Sequence, residues 1–328
     1  MKMLILTHGE VEALLPMRAC IAVMREALAA LARKEIQQPL RAVFKPTGAT
    51  GLLGLMPAYR GGAEAVFGLK AICIFHDNPA RGHDAHQGGV LLFSGTTGEP
   101  RALMNASALT AIRTAAVSGV ATQLLARADA CELAIVGAGV QARTHLAAMS
   151  CVRALKRARI VSRRSEQAHA FAAEVQPRYP FPVEAAASVE AAVSGADLIV
   201  TATNAHAPVL RRAWLAPGAH INAVGACTPA ARELDGETVA AASLFVDRRE
   251  SALAEAGDYL CALAEGAITP QHIRAELGEV LLGTSAGRTA PDEITLFKSL
   301  GLAAEDLAAA EYVYSEAKRQ GAGTWVEF

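Results

Sequence analysis

The chain has 328 residues, 52% of them hydrophobic and 19% charged, with a mean hydropathy of +0.25. That is apolar material for about two domains of roughly 100–200 residues each, and it excludes a disordered chain. Lys+Arg 31 against Asp+Glu 32 leaves a formal charge of −1, which argues against a whole-chain nucleic-acid binder, while 5% aromatics and abundant alanine lean toward a helix-rich α/β protein.

The first half reads as an α+β meander. Apolar residues at helical spacing (Met17, Ile21, Met24, Leu28, Leu31) predict a helix over 17–34. Extended segments follow at 41–45, 51–56, 68–75, 89–94 and 101–104, with Gly-Thr-Thr-Gly-Glu-Pro (95–100) as a hairpin loop. From Cys131 to Asp247 short apolar strands alternate with helices. Strands are expected at 132–136, 159–162, 182–185, 197–201, 220–225 and 244–247, and helices at 141–151, 166–175 and 189–193. The strands are continuous apolar runs, as in a parallel sheet buried on both faces. Residues 305–320 form an amphipathic helix with Asp306 early and Lys318 and Arg319 late, matching the helix dipole, and this helix is expected to return to the first domain.

No run of ~18 or more uncharged apolar residues occurs, so no membrane span is expected. The start of the chain has no signal-peptide pattern. Six cysteines, at 20, 73, 131, 151, 227 and 261, form no C-x-x-C pair and read as reduced thiols of a cytoplasmic protein. Histidines 76, 83 and 86 fit no metal spacing, so no metal is expected.

Gly137-Ala-Gly139-Val140-Gln141-Ala142 stands between a strand and a helix, the context that makes a glycine-rich loop a dinucleotide site. The first glycine allows the tight turn, and the second lets pyrophosphate approach the backbone. Ala142 permits close helix–strand packing, and the helix N-terminus faces the phosphates. An NAD-specific enzyme wants an acid at the end of the second strand to hold the ribose 2′-hydroxyl. That strand ends Ser162-Arg163-Arg164, with no acid and two guanidiniums. NADP(H) is therefore the preferred cofactor and NAD(H) the other possibility.

Three cations stand in the other half. Lys70 lies inside the apolar strand FGLKAICIF, where it must reach solvent, snorkel or meet an anion. Arg113 lies among small apolar residues, facing either a ligand anion or a structural carboxylate; Arg41 is the third. Together they suggest a small carboxylate-bearing substrate.

The segments LMPAY (55–59), GLKAI (68–72), LLFSGTTGEPRALM (91–104), LTAIRTAAVSGVAT (109–122), VGAGVQA (136–142), HINAVGACTPAARELD (220–235) and TLFKSLGLAAEDLAAA (295–310) together resemble the ornithine cyclodeaminase/mu-crystallin family. The resemblance implies a doubly wound Rossmann domain (119–301) inserted into an α+β substrate-binding and dimerisation domain (1–118 and 302–328), and a homodimer formed through the latter. It implies that Arg41, Lys70 and Arg113, with Met56, bind the substrate, Lys70 and Arg113 being catalytic. It implies that Thr114, Gly137, Gly139, Val140 and Gln141 lie near the cofactor phosphates and that Ser162, Arg163 and Arg164 hold the adenosine ribose. Ala202, Thr203 and Asn204 match the adenosine-side crossover, and Val224, Cys227, Lys298 and Ser299 lie near nicotinamide. Cyclodeaminases of the family carry a glutamate where this chain has Gly54 and an aspartate where it has Cys227. The departures point to reduction of a small cyclic imino acid rather than deamination of ornithine. The open alternatives are that lyase activity, an alanine-type amino-acid dehydrogenase, and a non-catalytic NADPH-binding dimer.

Overall fold

The computed structural model describes residues 2–75 and 77–328, so His76 of the loop considered for metal lies outside the described residues. After β1 (Lys2–Leu6), α1 (His8–Leu14) opens with a capping box in which the Glu10 carboxylate accepts from the Thr7 amide at 2.8 Å. Helix α2 (Met17–Ala32) follows Pro16 and buries Ile21, Met24 and Leu28 of the expected stripe. Then come β2 (Ile36–Gln37), β3 (Ala42–Phe44), β4 (Leu52–Arg60), β5 (Val66–Ile74), β6 (His86–Ser94) and β7 (Pro100–Asn105). Strands β4 to β7 pair antiparallel in sequence order. Alternation along β5 buries Val66, Gly68, Lys70 and Ile72 and turns Phe67, Leu69, Ala71 and Cys73 outward. Lys70 therefore stands on the buried face.

Helix α3 (Ala106–Leu125) follows at once. Sequence periodicity does not mark it because it is apolar on all sides, the pattern of a helix buried all round. With a mean hydropathy of 1.2 it is long and apolar enough to cross a membrane, but 83% of that stretch is buried within the protein, as in a core helix.

The alternating region follows as β8 (Glu132–Val136), α4 (Val140–Val152), β9 (Arg157–Val161), α5 (Ser165–Val175), β10 (Val183–Ala185), α6 (Val189–Val193), β11 (Leu198–Thr201) and β12 (His220–Ala223). It continues through α7 (Gly236–Ala241), β13 (Ser243–Val246), α8 (Arg249–Glu255), α9 (Gly257–Ala264), β14 (Ile273–Glu276), α10 (Leu277–Leu281) and β15 (Thr295–Lys298). Its eight strands are all parallel, in the order β10-β9-β8-β11-β12-β15-β13-β14. The order reverses beside β8, the topological switch point of a doubly wound fold.

Helix α11 (Ala303–Gln320) and β16 (Thr324–Glu327) end the chain, with β16 antiparallel to β1. Helix α11 lies close on β5 at Gly68, where an added Cβ would stand 2.8 Å from Leu307 Cδ1. The chain divides into two compact units, Met1–Arg113 with Gly301–Phe328, and Thr114–Leu300. The division falls inside α3, a few residues before the expected boundary at 118.

Candidate active site

In the first unit, β5, α3 and α11 bring four charges together away from water. Lys70 is 3% exposed and pairs with Asp306 at 2.7 Å. Arg113 donates from Nε to Asp306 Oδ1 and from Nη1 to Glu305 Oε2, both at 2.9 Å. Met56 sits opposite Lys70 in the β4–β5 register and is buried. Arg41, in the segment before β3, donates from Nη2 to the Gly301 carbonyl at 3.0 Å. Two of the three cations expected from the sequence, Lys70 and Arg113, are thus gathered by one helix, α11, through two buried acids outside the expected site residues, while Arg41 is held just before that helix. Asp306 was read as a dipole residue; its carboxylate instead bridges Lys70 and Arg113.

The electrostatics follow. Burial pulls the Lys70 ammonium down to about 8, assisted by Arg113 and Arg41 and opposed by Asp306. Burial pushes Asp306 upward, but Arg113 and Lys70 outweigh it and hold the carboxyl below its ordinary value. Lys70 and Arg113 cancel Glu305 and Asp306 in formal charge, and Arg41 adds one positive charge. Such a cluster suits an anionic ligand, and Lys70 can give or take a proton near neutral pH.

In the second unit the strand register explains why the cofactor candidates converge. Val161, Val136, Thr201, Ala223 and Lys298 stand in one row across β9, β8, β11, β12 and β15. The residues one step further are Ser162, Gly137, Ala202, Val224 and Ser299. Four of these amides reach back to a neighbouring strand's carbonyl: Gly137 to Val161, Ala202 to Val136 and Val224 to Thr201 at 2.8 Å, and Ser299 to Ala223 at 3.0 Å. The candidates therefore line the carboxyl edge of the parallel sheet, where open α/β sheets bind ligands.

Gly137 has φ +128°, and a Cβ there would lie 2.5 Å from the Ala202 carbonyl oxygen, so only glycine fits. Gly139 caps α4 without a side-chain hydrogen bond, and a Cβ there would meet nothing within 4 Å. Above the helix N-terminus the backbone is bare and the space open, and the first turn carries no acid. A pyrophosphate fits this cradle. Val140 is exposed, Ala142 is fully buried against the sheet, and the Gln141 carbonyl lies 2.7 Å from His145 Nδ1. Thr114, just after Arg113 on α3, is 8% exposed. After β9, Ser162 Oγ donates to the Arg164 carbonyl at 2.6 Å, while Arg163 and Arg164 are exposed. Thr203 is held by its amide and hydroxyl to Glu233, at 2.7 and 2.8 Å, and Asn204 follows it. Cys227 donates from Sγ to the Val224 carbonyl at 3.2 Å. Lys298 is 1% exposed and lies 3.1 Å from Asp258. Among the described residues no group of three or more His, Cys, Asp or Glu can hold a metal.

The sequence profile of the ornithine cyclodeaminase/mu-crystallin family matches residues 1–321. The chain belongs to this family. Within the ornithine cyclodeaminase/mu-crystallin family it is similar to a Δ1-pyrroline-2-carboxylate reductase of Bacillus cereus, 38% identical over 99% of this chain and 100% of that one. It is similar also to the ketimine reductase mu-crystallin of mouse, 43% identical over 85% of each chain. Among solved structures of the family, that of the Thermococcus litoralis Δ1-pyrroline-2-carboxylate reductase, in complex with NADH and L-proline, superposes with a TM-score of 0.95. It is 37% identical and covers 98% of this chain and 99% of its own.

Proposed function

We propose that the chain is an NAD(P)H-dependent reductase of a small cyclic imino acid, Δ1-pyrroline-2-carboxylate or Δ1-piperideine-2-carboxylate, giving proline or pipecolate. The observation that carries the reading is the buried cluster of Lys70, Arg113, Glu305 and Asp306 with Arg41 beside it, in a chain related end to end to enzymes named for this reaction. Arg41 and Arg113 receive the carboxylate, which neutralises the charge in excess and fixes the ring. Two side chains holding the ring also limit its motion, which raises the fraction of bound substrate in reactive geometry. Gly137, Gly139 and the α4 N-terminus hold the cofactor phosphates. When bound, the reduced nicotinamide supplies the hydride for the imine carbon. Lys70, protonated below about 8, donates a hydrogen bond or proton to the ring nitrogen, and water returns a proton to the amine, whose charged form the Asp306 carboxylate favours. The product has one new C–H bond and one new N–H bond, so one hydride and one proton balance the step.

We assign NADP(H) as the preferred cofactor, with Ser162, Arg163 and Arg164 around its 2′-phosphate. The outward face of β4 to β7 supports a homodimer through the first unit. Phe67 there is 48% exposed, and Leu55, Leu69, Leu91 and Leu103 are incompletely covered. Six free cysteines fit a reducing, cytoplasmic setting.

The test is NADPH oxidation followed spectroscopically with each cyclic imine. Turnover with either is expected. Ammonia release from ornithine with catalytic NAD+ and no turnover of imines would replace the reductase with the lyase.

A further inference from the structure

We propose that Glu233, Asp258 and Lys298 form a buried charged brace that sets the backbone of the Val224–Cys227 turn, and that Lys298 is a positioning residue rather than a cofactor ligand. The proposal rests on the dinucleotide-binding reading of the second unit. The three residues are at most 2% exposed, and each side chain ends on the candidate cofactor edge or on another member of the brace. Glu233 accepts from Thr201 Oγ1 at 2.9 Å and from the amide and hydroxyl of Thr203. Asp258 accepts from the amides of Glu233 and Leu234 at 2.7 and 3.0 Å and pairs with Lys298 Nζ through its other oxygen at 3.1 Å. Lys298 also donates to the Gly225 carbonyl. The brace thus ties the ends of β11, β12 and β15 together.

What it holds is a strained turn. Ala226 has φ +54°, a left-handed conformation that L-residues other than Asn and Asp rarely adopt. The carbonyls on both sides of that strain are tethered, Gly225 by Lys298 and Ala226 by the Gly257 amide at 3.3 Å. Close packing leaves the turn no slack. A Cβ on Gly225 would lie 2.4 Å from the Thr203 carbonyl oxygen and 2.5 Å from Glu233 Cδ, and one on Gly257 would lie 1.9 Å from the Ala231 carbonyl oxygen. Packing alone would be served as well by apolar side chains, because buried ion pairs add little net stability. Hydrogen-bonding three strand ends at once needs charged and polar atoms. The turn they fix carries Val224 and Cys227, the residues expected beside nicotinamide.

The experiment compares native protein with Lys298→Met, Glu233→Gln and the double variant Lys298→Met/Ala226→Gly. Three readouts are taken: amide hydrogen exchange by residue, Kd for NADPH by fluorescence titration, and steady-state kinetics with a cyclic imine. Lys298→Met is expected to raise exchange at 224–228 at least tenfold and leave 133–136 unchanged. Kd should rise about tenfold, and kcat should fall about tenfold with KM for the imine within twofold of native. Glycine takes φ > 0 without strain, so Ala226→Gly should return Kd to within about threefold of native. Glu233→Gln should show the same local loosening to a smaller degree, and it carries the test if Lys298→Met does not fold. Native Kd and exchange in both single variants would overturn the proposal. So would a uniform rise in exchange across the unit that Ala226→Gly does not reverse. A native protein that binds neither NADPH nor NADH would refute the proposed function instead, and the exchange readout would then decide on the brace alone.

Discussion

Asp306→Asn is the sharpest test of the cation cluster. Asparagine keeps the volume and one acceptor but removes the charge shared by Lys70 at 2.7 Å and Arg113 at 2.9 Å. Breaking a buried ion pair from one side costs about 3–5 kcal/mol. At ~2–4 °C per kcal/mol that lowers Tm by roughly 6–20 °C. The more diagnostic effect is on Lys70, since Asp306 is what opposes the downward pull of burial. About 1.4 kcal/mol of lost attraction moves a titration by one pH unit. If roughly half of the lost energy acted on the ammonium, its titration would move from about 8 to below neutral pH. On the proposed mechanism, in which the protonated amine is the donor, native kcat/KM for imine reduction should fall as pH rises through about 8. In the variant the same decline should begin at least one pH unit lower. The assay is NADPH oxidation at saturating cofactor from pH 6 to 10 in roughly constant ionic strength, with thermal denaturation in parallel. A variant that loses stability but keeps the native pH profile would show Asp306 to be structural only and would sink the proton-transfer role of Lys70.

Gly139→Ala has open space for its methyl group, so Tm should hold within about 2 °C while dinucleotide affinity falls at least tenfold by titration. Gly137→Ala forces a Cβ against the Ala202 carbonyl at φ +128° and should lower Tm before any effect on binding can be read. Arg163→Ala should raise KM for NADPH about tenfold or more and leave KM for NADH nearly unchanged; equal effects would remove the 2′-phosphate assignment. Leu69→Asp places a charge in the outward face of β5 and should yield a monomer in sedimentation, whereas an unchanged mass would move the interface elsewhere.

The second unit was largely legible because its strands are apolar runs and its phosphate loop sits where a strand meets a helix. What could not be read was the register that puts Ser162, Gly137, Ala202, Val224 and Ser299 side by side, since pairing depends on neighbours 22 to 75 positions away. In the first unit Lys70 was visible as an oddity, a charge in an apolar strand, but its partner was not. Asp306 satisfies the dipole rule for the start of α11 equally well whether it faces water or core. Only the packing of α11 on β5, permitted by Gly68, decides between them. Glu233 and Asp258 were likewise hidden: one is an acid in a loop and the other an acid in the first turn of α9, and such acids are ordinarily solvated. Helix α3 escaped because periodicity detects helices with two faces, and this one has a single kind of face.

The two departures from the cyclodeaminase pattern bear on mechanism in different ways. Gly54 lies on the buried face of β4, and a Cβ there would stand 3.5 Å from Ile72 Cγ2, an ordinary contact. The backbone would admit a side chain at its first atom, so steric crowding at that atom does not account for the missing carboxylate. At Cys227 the thiol is a donor, directed at the Val224 carbonyl. A water-activating base must instead accept a proton, and a thiol whose hydrogen is already engaged by a carbonyl is poorly disposed to do so. Deamination needs a group to manage both the leaving amine and the incoming water. Reduction of a preformed imine needs only a carboxylate clamp, a proton source and a hydride. In the proposed mechanism Arg41, Arg113 and Lys70 would meet the first two requirements, and the cradle at Gly137 and Gly139 would hold the source of the third.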